Sequence, residues 1–187
     1  MKKFVMVLLV LAVVGVSAFA FDPLSYPPPL SGGGKLMVDV GAGLAFGYGS
    51  GKMSIPPLFG KVEYALPVEV PISVGGIFGF YQYKWDYSGF GVGWKETWTF
   101  MYFGGLANWH WGFDVSWLDL YTGITIGYLY YKWESDYKGD RGWYSEPSYG
   151  GFTFGGQIGA HFYFTNTVGL MLEIGYPFLK VGLALKF

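Results

Sequence analysis

From residue 38 to its last residue, Phe187, the chain repeatedly alternates apolar residues with small or polar ones. Between residues 38 and 47, every even position is apolar, whereas the odd positions hold an aspartate, an alanine and three glycines. A period of two is that of a β-strand, whose successive side chains point to opposite faces. The polar face of a soluble sandwich strand would more often carry Lys, Glu and Thr than glycine. The pattern is instead typical of a membrane barrel, whose apolar face contacts lipid.

Eight segments carry this alternation, and eight is the smallest even number of strands in bacterial outer-membrane barrels. The segments are 36–47, 58–66, 72–85, 97–111, 118–133, 152–164, 168–176 and 178–187. Short joins follow the second, fourth and sixth segments, whereas longer joins, 48–57, 86–96 and 134–150, follow the first, third and fifth. Short periplasmic turns and longer external loops are expected of such barrels. The sequence therefore predicts an all-β fold, a closed antiparallel eight-stranded transmembrane β-barrel with an up-and-down meander.

The composition agrees with a membrane location. Aromatic residues make up 22% of the chain and charged residues only 13%, against roughly 25% charged in typical globular domains. No segment after residue 20 approaches the ~20 continuous apolar residues of a membrane helix. Since every backbone polar group must be satisfied in lipid, a closed barrel is the solution that remains. A net charge of −1 gives no reason to expect a nucleic-acid partner, and the absence of cysteine excludes disulfides.

The first twenty residues are predicted to be a cleavable signal peptide. Lys2 and Lys3 precede a continuous apolar run, and Ala18 and Ala20 provide small residues before a cleavage site. Residues 21–34, rich in Pro and Gly, are predicted to be an extended periplasmic lead-in without structure of its own. Residues 35–187 form the barrel domain. The expected location is the bacterial outer membrane, reached by secretion across the inner membrane, with lipid and lipopolysaccharide as surroundings.

The inward face of the predicted strands is rich in glycine and tyrosine, which together can fill a narrow lumen. An eight-stranded barrel has an interior just wide enough for side chains. Charged residues at inward positions include Asp39, Lys61, Glu63, Glu173 and Lys180. Because an unpaired buried charge is costly, these side chains are predicted to form a salt-bridge network in the lumen. The network predicts a filled or very narrow barrel with a structural or surface role. Passive transport of small solutes, as in a small porin, is the first alternative.

Aromatic residues cluster near the predicted strand ends, where amphipathic rings prefer the membrane surface. Trp109, Trp111, Phe162, Phe164 and Phe187 are expected at the periplasmic edge. Trp85, Trp98, Tyr128, Tyr130, Phe152 and Tyr176 are expected at the outer edge.

An enzymatic function is not predicted. Some eight-stranded barrels modify lipid A, and such hydrolases need a nucleophile, a base and an orienting acid within hydrogen-bond reach. The two histidines, His110 and His161, fall at periplasmic strand ends, whereas lipid A occupies the outer leaflet. Both are expected to be interior residues hydrogen-bonded to neighbours. No catalytic, cofactor-binding or metal-binding residue is therefore assigned.

The longest external join offers a second alternative function, adhesion or ligand binding. It contains Lys138, Arg141, Trp143 and Tyr144, and arginine and aromatic residues are enriched at interaction hot spots. A solvated loop with aromatic residues would contain the same residue types. Loops on a rigid scaffold often carry function, so these four residues are the predicted loop contacts.

The last eight residues, from Lys180 to Phe187, resemble the C-terminal signal of outer-membrane barrels. In that pattern a polar residue is followed at fixed spacing by Gly182, Leu185 and the terminal aromatic Phe187. Shorter stretches, such as residues 62–64, 72–76, 109–111, 120–123 and 156–163, are similar to strands of small barrels. The chain thus resembles the small outer-membrane barrel superfamily that includes OmpA-like, OmpX-like and opacity-type proteins. The resemblance implies insertion by the outer-membrane barrel assembly machinery, which reads the last strand, and fixes no biochemical activity.

Overall fold

The computed structural model of the chain describes residues 21–45, 52–89, 92–136 and 148–187. A two-residue strand and a short 3-10 helix (Pro28–Leu30) precede eight long strands. The strands are β1 Phe21–Asp22, β2 Leu36–Ala45, β3 Lys52–Ala65, β4 Ile72–Gly89, β5 Val92–Phe113, β6 Leu118–Ser135, β7 Ser148–Tyr163, β8 Val168–Gly175 and β9 Phe178–Lys186. In the described ranges, no helix is long and apolar enough to cross a membrane. The predicted signal peptide, residues 1–20, lies outside the described residues.

Strands β2 to β9 form a closed antiparallel barrel. Each pairs with the next along the chain, and the barrel closes through β2 and β9, from Met37 opposite Lys186 to Ala45 opposite Phe178. The predicted all-β, eight-stranded meander is therefore confirmed.

The side chains divide between an apolar exterior and an interior of buried residues. Ile124 is 69% exposed and Phe152 is 86% exposed on the outer face, whereas Tyr81, Tyr102 and Tyr121 are fully buried inside. A monomeric soluble protein rarely exposes a contiguous apolar patch of more than a few hundred Å². The period-two alternation thus places the apolar residues outside and the small, polar and tyrosine residues inside.

The two ends of the barrel differ. The turn end contains the short joins 66–71, 114–117 and 164–167, and the loop end contains the joins 46–51, 90–91, 137–147 and 176–177. Strands β4 and β5 have 18 and 22 residues, against 8 and 9 in β8 and β9. About 9–11 residues are enough for a strand to cross a bilayer, and β8 and β9 have about this length. Strands β4 to β7 are longer and extend past β8 and β9 at the loop end. Gly175, the last residue of β8, pairs with Gln157, and β7 begins already at Ser148.

Two of the predicted long joins are wrong. Instead of a loop over 86–96, β4 and β5 stay paired as far as Gly89 opposite Val92, and the rings of Tyr87 and Trp94 stack 4.8 Å apart across the pair. Cross-strand aromatic pairs stabilise such a ribbon outside lipid. Strand β3 begins at Lys52 rather than near residue 58. Pro56 and Pro57 lie within this strand, where the register against β4 shifts, as expected of proline at a bulge.

Three residues of the predicted outer aromatic girdle are also placed wrongly. Trp85 and Trp98 lie at inward positions of β4 and β5, and their rings contact each other 6.2 Å apart. Tyr176 packs inward, with its ring 6.1 Å from that of Tyr102. The reason is the two-residue period of a strand. Trp85 is four residues from buried Tyr81, and Trp98 is four residues from buried Tyr102, so each tryptophan lies on the inner face of its strand. Aromatic identity alone could not distinguish a girdle from the lumen.

The lead-in, residues 21–34, is ordered against the turn end, so the expectation that it lacks structure is wrong. Strand β1 pairs with the end of β5, and Leu30 is fully buried. The hydroxyl of Tyr26 lies 2.6 Å from the carbonyl oxygen of Leu66 and 2.7 Å from that of Ile72. At Gly33, where φ is 65°, a Cβ would lie 2.5 Å from the Leu66 carbonyl oxygen. The lead-in therefore closes the turn end of the lumen.

Candidate functional site

The largest concentration of polar chemistry among the described residues is a buried cluster in the turn-end half of the lumen. Seven side chains form a closed ring of hydrogen bonds and ion pairs, which we call the polar ring. In order around the ring, they are Asp119, His110, Ser73, Glu63, Lys61, Asp39 and His161. Each is at most 1% exposed. They come from inward positions of β2 to β7, so the cluster spans the lumen and connects most of the barrel wall.

Lys61 is the central cation of the polar ring. Its Nζ lies 3.1 Å from Asp39, 2.7 Å from Glu63 and 3.1 Å from Glu173, and these are all carboxylate contacts. The hydroxyl of Tyr121 is a fourth neighbour, at 3.0 Å. A buried ammonium with three carboxylates satisfies its donors, which offsets the large cost of removing the charges from water.

Glu173 extends the cluster to the far side of the lumen. It accepts a hydrogen bond from Tyr121 at 2.8 Å, and its other oxygen pairs with Lys180 at 2.5 Å. All five charged residues of the predicted lumen network thus lie in one connected cluster. Asn108 and Gln157 join it through hydrogen bonds to Glu63 and to each other.

The two histidines contact the remaining carboxylate oxygens of the cluster. His161 has Nδ1 2.9 Å from Asp119 and Nε2 3.1 Å from Asp39, so both ring nitrogens face carboxylates. A carboxylate accepts and does not donate, and only an imidazolium donates from both nitrogens. The contacts are therefore those of a protonated His161. The four buried carboxylates, Asp39, Glu63, Asp119 and Glu173, thus lie in one cluster with two lysines and two histidines.

Ser73, His110 and Asp119 are hydrogen-bonded in the order found in serine hydrolases. The Oγ of Ser73 lies 2.9 Å from Nε2 of His110, and Nδ1 of His110 lies 2.8 Å from Asp119. Ser73 also contacts Glu63 at 2.5 Å and must donate its hydrogen there, because the carboxylate can only accept. His110 then donates to Ser73, the reverse of what a general base requires. Ser73 is fully buried, so a substrate cannot reach it in this arrangement.

Sequence reasoning did not assign Asp119, Ser73, Asn108 or Gln157 to the lumen network. The alternation places all four at inward positions of their strands. A polar side chain at an inward position was the feature that could have assigned them to the network. In the described part of the chain, no group of three or more His, Cys, Asp or Glu residues is arranged to hold a metal ion.

An aromatic layer covers the polar cluster on the loop-end side. The rings of Tyr81 and Phe100 stack 4.7 Å apart, and the ring of Phe178 meets Tyr81 edge-on at 5.9 Å. All three side chains are at most 7% exposed. The polar cluster and this layer thus place buried side chains at successive levels of the barrel interior.

The residues of the predicted assembly signal lie on β9 and at its end. A Cβ on Gly182 would lie 2.4 Å from the carbonyl oxygen of Val40, so this position requires a close approach of the two strands. Leu185 pairs with residues of β2 and β8. The backbone of Phe187 exchanges two hydrogen bonds with Leu36, and its side chain is 63% exposed. The predicted loop contacts are outside the described residues: Lys138, Arg141, Trp143 and Tyr144.

Comparison with solved structures returns small bacterial barrels. The attachment invasion locus protein Ail of Yersinia pestis is 13% identical with a TM-score of 0.48, and the match covers 83% of this chain and 99% of that chain. The N-terminal β-barrel domain of Pseudomonas aeruginosa OprF is 12% identical with a TM-score of 0.44, with coverage of 83% and 99%. No protein-family model matches the chain, and no curated protein matches it.

Proposed function

We propose that this protein is an integral outer-membrane β-barrel with a structural or surface role and a lumen closed to solutes. The polar ring carries this proposal, because its side chains come from six strands, are at most 1% exposed and contact one another across the lumen, which argues against an aqueous path. The apolar exterior supports insertion in lipid, with outer-membrane lipid and lipopolysaccharide around it. The buried polar cluster thus supplies rigidity rather than a pore.

Delivery to this membrane is proposed to use both ends of the chain. The signal peptide 1–20 would direct secretion, and Gly182, Leu185 and Phe187 would be read by the barrel assembly machinery. The Phe187 side chain is exposed and its backbone pairs with Leu36 at the barrel seam. The last strand therefore offers a recognisable side chain at the place where the barrel closes.

Replacing Phe187 with serine is expected to lower the amount of folded protein in outer-membrane fractions several-fold, because the terminal aromatic residue is lost. Heat-modifiability gels on these fractions measure the folded and unfolded bands. Phe164→Ser is the matched control, since Phe164 is also an exposed phenylalanine at the turn end but precedes β8. Equal assembly of the Phe187 variant and the control would contradict the role of the C-terminal signal.

In planar bilayers, the purified protein is expected to show no steady open state, because the polar cluster and the aromatic layer fill the lumen. Liposome swelling with small sugars should likewise stay at the level of protein-free vesicles. A general porin, reconstituted in the same way, is the positive control. A large steady conductance would overturn the closed lumen and favour the alternative, porin-like passive transport.

Adhesion or ligand binding remains a second proposal, because β6 and β7 extend past β8 and β9 at the loop end and flank residues 137–147 in the chain. Lys138, Arg141, Trp143 and Tyr144 of that segment are the proposed contacts. A rigid, projecting wall is a suitable support for an exposed binding loop.

A further inference from the structure

A cavity of about 580 Å³ opens at the loop end, on the inner face of the projecting strands β4 to β7. Its volume falls within the range of about 300–1,000 Å³ that is usual for small-molecule sites. Six aromatic side chains, Leu129 and Glu96 line it. It lies beyond the aromatic layer, on the side away from the polar ring, and Phe100 of that layer forms part of its lining.

The aromatic rings of this cavity are arranged as a cage. Trp98 lies at its centre, 6.2 Å from Trp85 at an interplanar angle of 76° and 6.1 Å from Tyr131 at 29°. The ring of Tyr149 lies 5.6 Å beyond that of Tyr131. The rings of the cage therefore lie at several different angles to one another and line the same cavity. Ring faces carry negative electrostatic potential, which attracts a cation placed over them.

Among the described residues, Glu96 is the one charged side chain that lines the cavity. Within the described ranges it has no ion-pair partner, and its one hydrogen bond comes from Nε1 of Trp94 at 3.3 Å. By contrast, Glu63 and Glu173 in the lumen are paired with Lys61, and Glu134 is paired with Lys132. Glu96 therefore places a partly exposed negative charge beside the aromatic rings, with no cation from the described residues paired to it.

We propose that this cavity binds a small organic cation of the quaternary ammonium class, with Glu96 as the counter-charge and the faces of Trp98 and Tyr131 as its walls. A quaternary ammonium group carries a positive charge but no hydrogen-bond donor. Aromatic ring faces therefore suit it better than hydrogen-bond acceptors do. An inorganic cation would need several oxygen ligands, and the cavity provides one carboxylate. This binding site goes beyond the proposed structural role and does not depend on whether the lumen conducts.

Choline and its neutral isostere 3,3-dimethylbutan-1-ol are the probes, because they share shape and differ in charge. The full-length protein is held in maltoside micelles or nanodiscs free of choline headgroups, which would compete. Binding is measured by calorimetry and by tryptophan fluorescence. Choline is expected to bind at least about tenfold more tightly than the alcohol.

Glu96→Gln is expected to weaken choline binding by about tenfold or more and to leave the alcohol unaffected. Glu134→Gln, a glutamate outside the cavity, is the matched control and should bind as the unchanged protein does. Trp98→Leu should weaken choline binding as well, and heat-modifiability gels verify that each variant is folded. Equal affinity for choline and the alcohol, choline binding that survives Glu96→Gln, or no saturable choline binding would each overturn the proposal.

Discussion

Replacing Lys61 with methionine is expected to lower the free energy of unfolding by about 3–5 kcal/mol, the usual cost of removing one partner of a buried ion pair. Methionine keeps the length and volume of the side chain, so the loss comes from the charge. Three carboxylates, Asp39, Glu63 and Glu173, would lose their common cation in a site without access to water. The barrel can relieve this only by protonating a carboxylate or by admitting water, and both cost free energy.

Urea unfolding in lipid vesicles, followed by tryptophan fluorescence and by the gel shift of the folded band, measures this loss. Lys84→Met is the matched control, because Lys84 is an exposed lysine on the outer face of β4. The control should change stability by no more than about 0.5 kcal/mol. A comparably small effect of Lys61→Met would show that the polar ring does not stabilise the barrel.

A second substitution tests whether the effect is electrostatic. Glu63→Gln on its own removes one of the four carboxylates and should also destabilise, since Lys61, Ser73 and Asn108 all contact it. In the Lys61→Met background, the same change removes a charge that has no partner. The double variant should therefore lose less free energy of unfolding than the two single variants lose together, by a coupling energy of about 0.5–3 kcal/mol. Strict additivity would contradict a direct interaction of the two charges.

Strand parity was sufficient to predict the barrel and the five charged residues of the predicted lumen network, which do meet in one cluster. Because eight strands enclose a space only as wide as the side chains, charges at inward positions of different strands have no alternative to contacting one another. Asp39 and Glu173 are far apart in sequence, yet both lie 3.1 Å from Lys61. The pairing partners within the cluster could not be predicted, since they depend on strand stagger. That stagger is not encoded in the alternation of any single strand.

The loop-end half was predicted less well, for a physical reason. Inside lipid, an outward position must be apolar, so alternation there is unambiguous. Beyond the bilayer, both faces of a strand meet water, and aromatic residues suit either face. Trp85 and Trp98 were accordingly placed in a girdle, although they line the cavity. The lead-in was missed because its order comes from contacts such as that of Tyr26 with Leu66, which no local pattern records.

The glycines of the inner face make a separate prediction. Gly159 pairs with Tyr121 across β6 and β7, and a Cβ there would lie 2.4 Å from both Cζ and the hydroxyl oxygen of Tyr121. That ring cannot easily move, because it stacks on His161 at 4.9 Å and its hydroxyl contacts Lys61 and Glu173. Gly159→Ala is therefore expected to destabilise the barrel by about 1–3 kcal/mol through overpacking.

Gly60→Ala is the matched control for this substitution, since a Cβ at Gly60 on the outer side of β3 would have nothing within 4 Å. There the alanine reduces only the conformational freedom of the unfolded chain, which should leave stability unchanged or raise it by up to about 1 kcal/mol. The same urea titration measures both variants. If Gly159→Ala were as harmless as Gly60→Ala, the lumen would have room to spare around Tyr121. The packing on which a closed lumen depends would then be loose at the level of the polar ring.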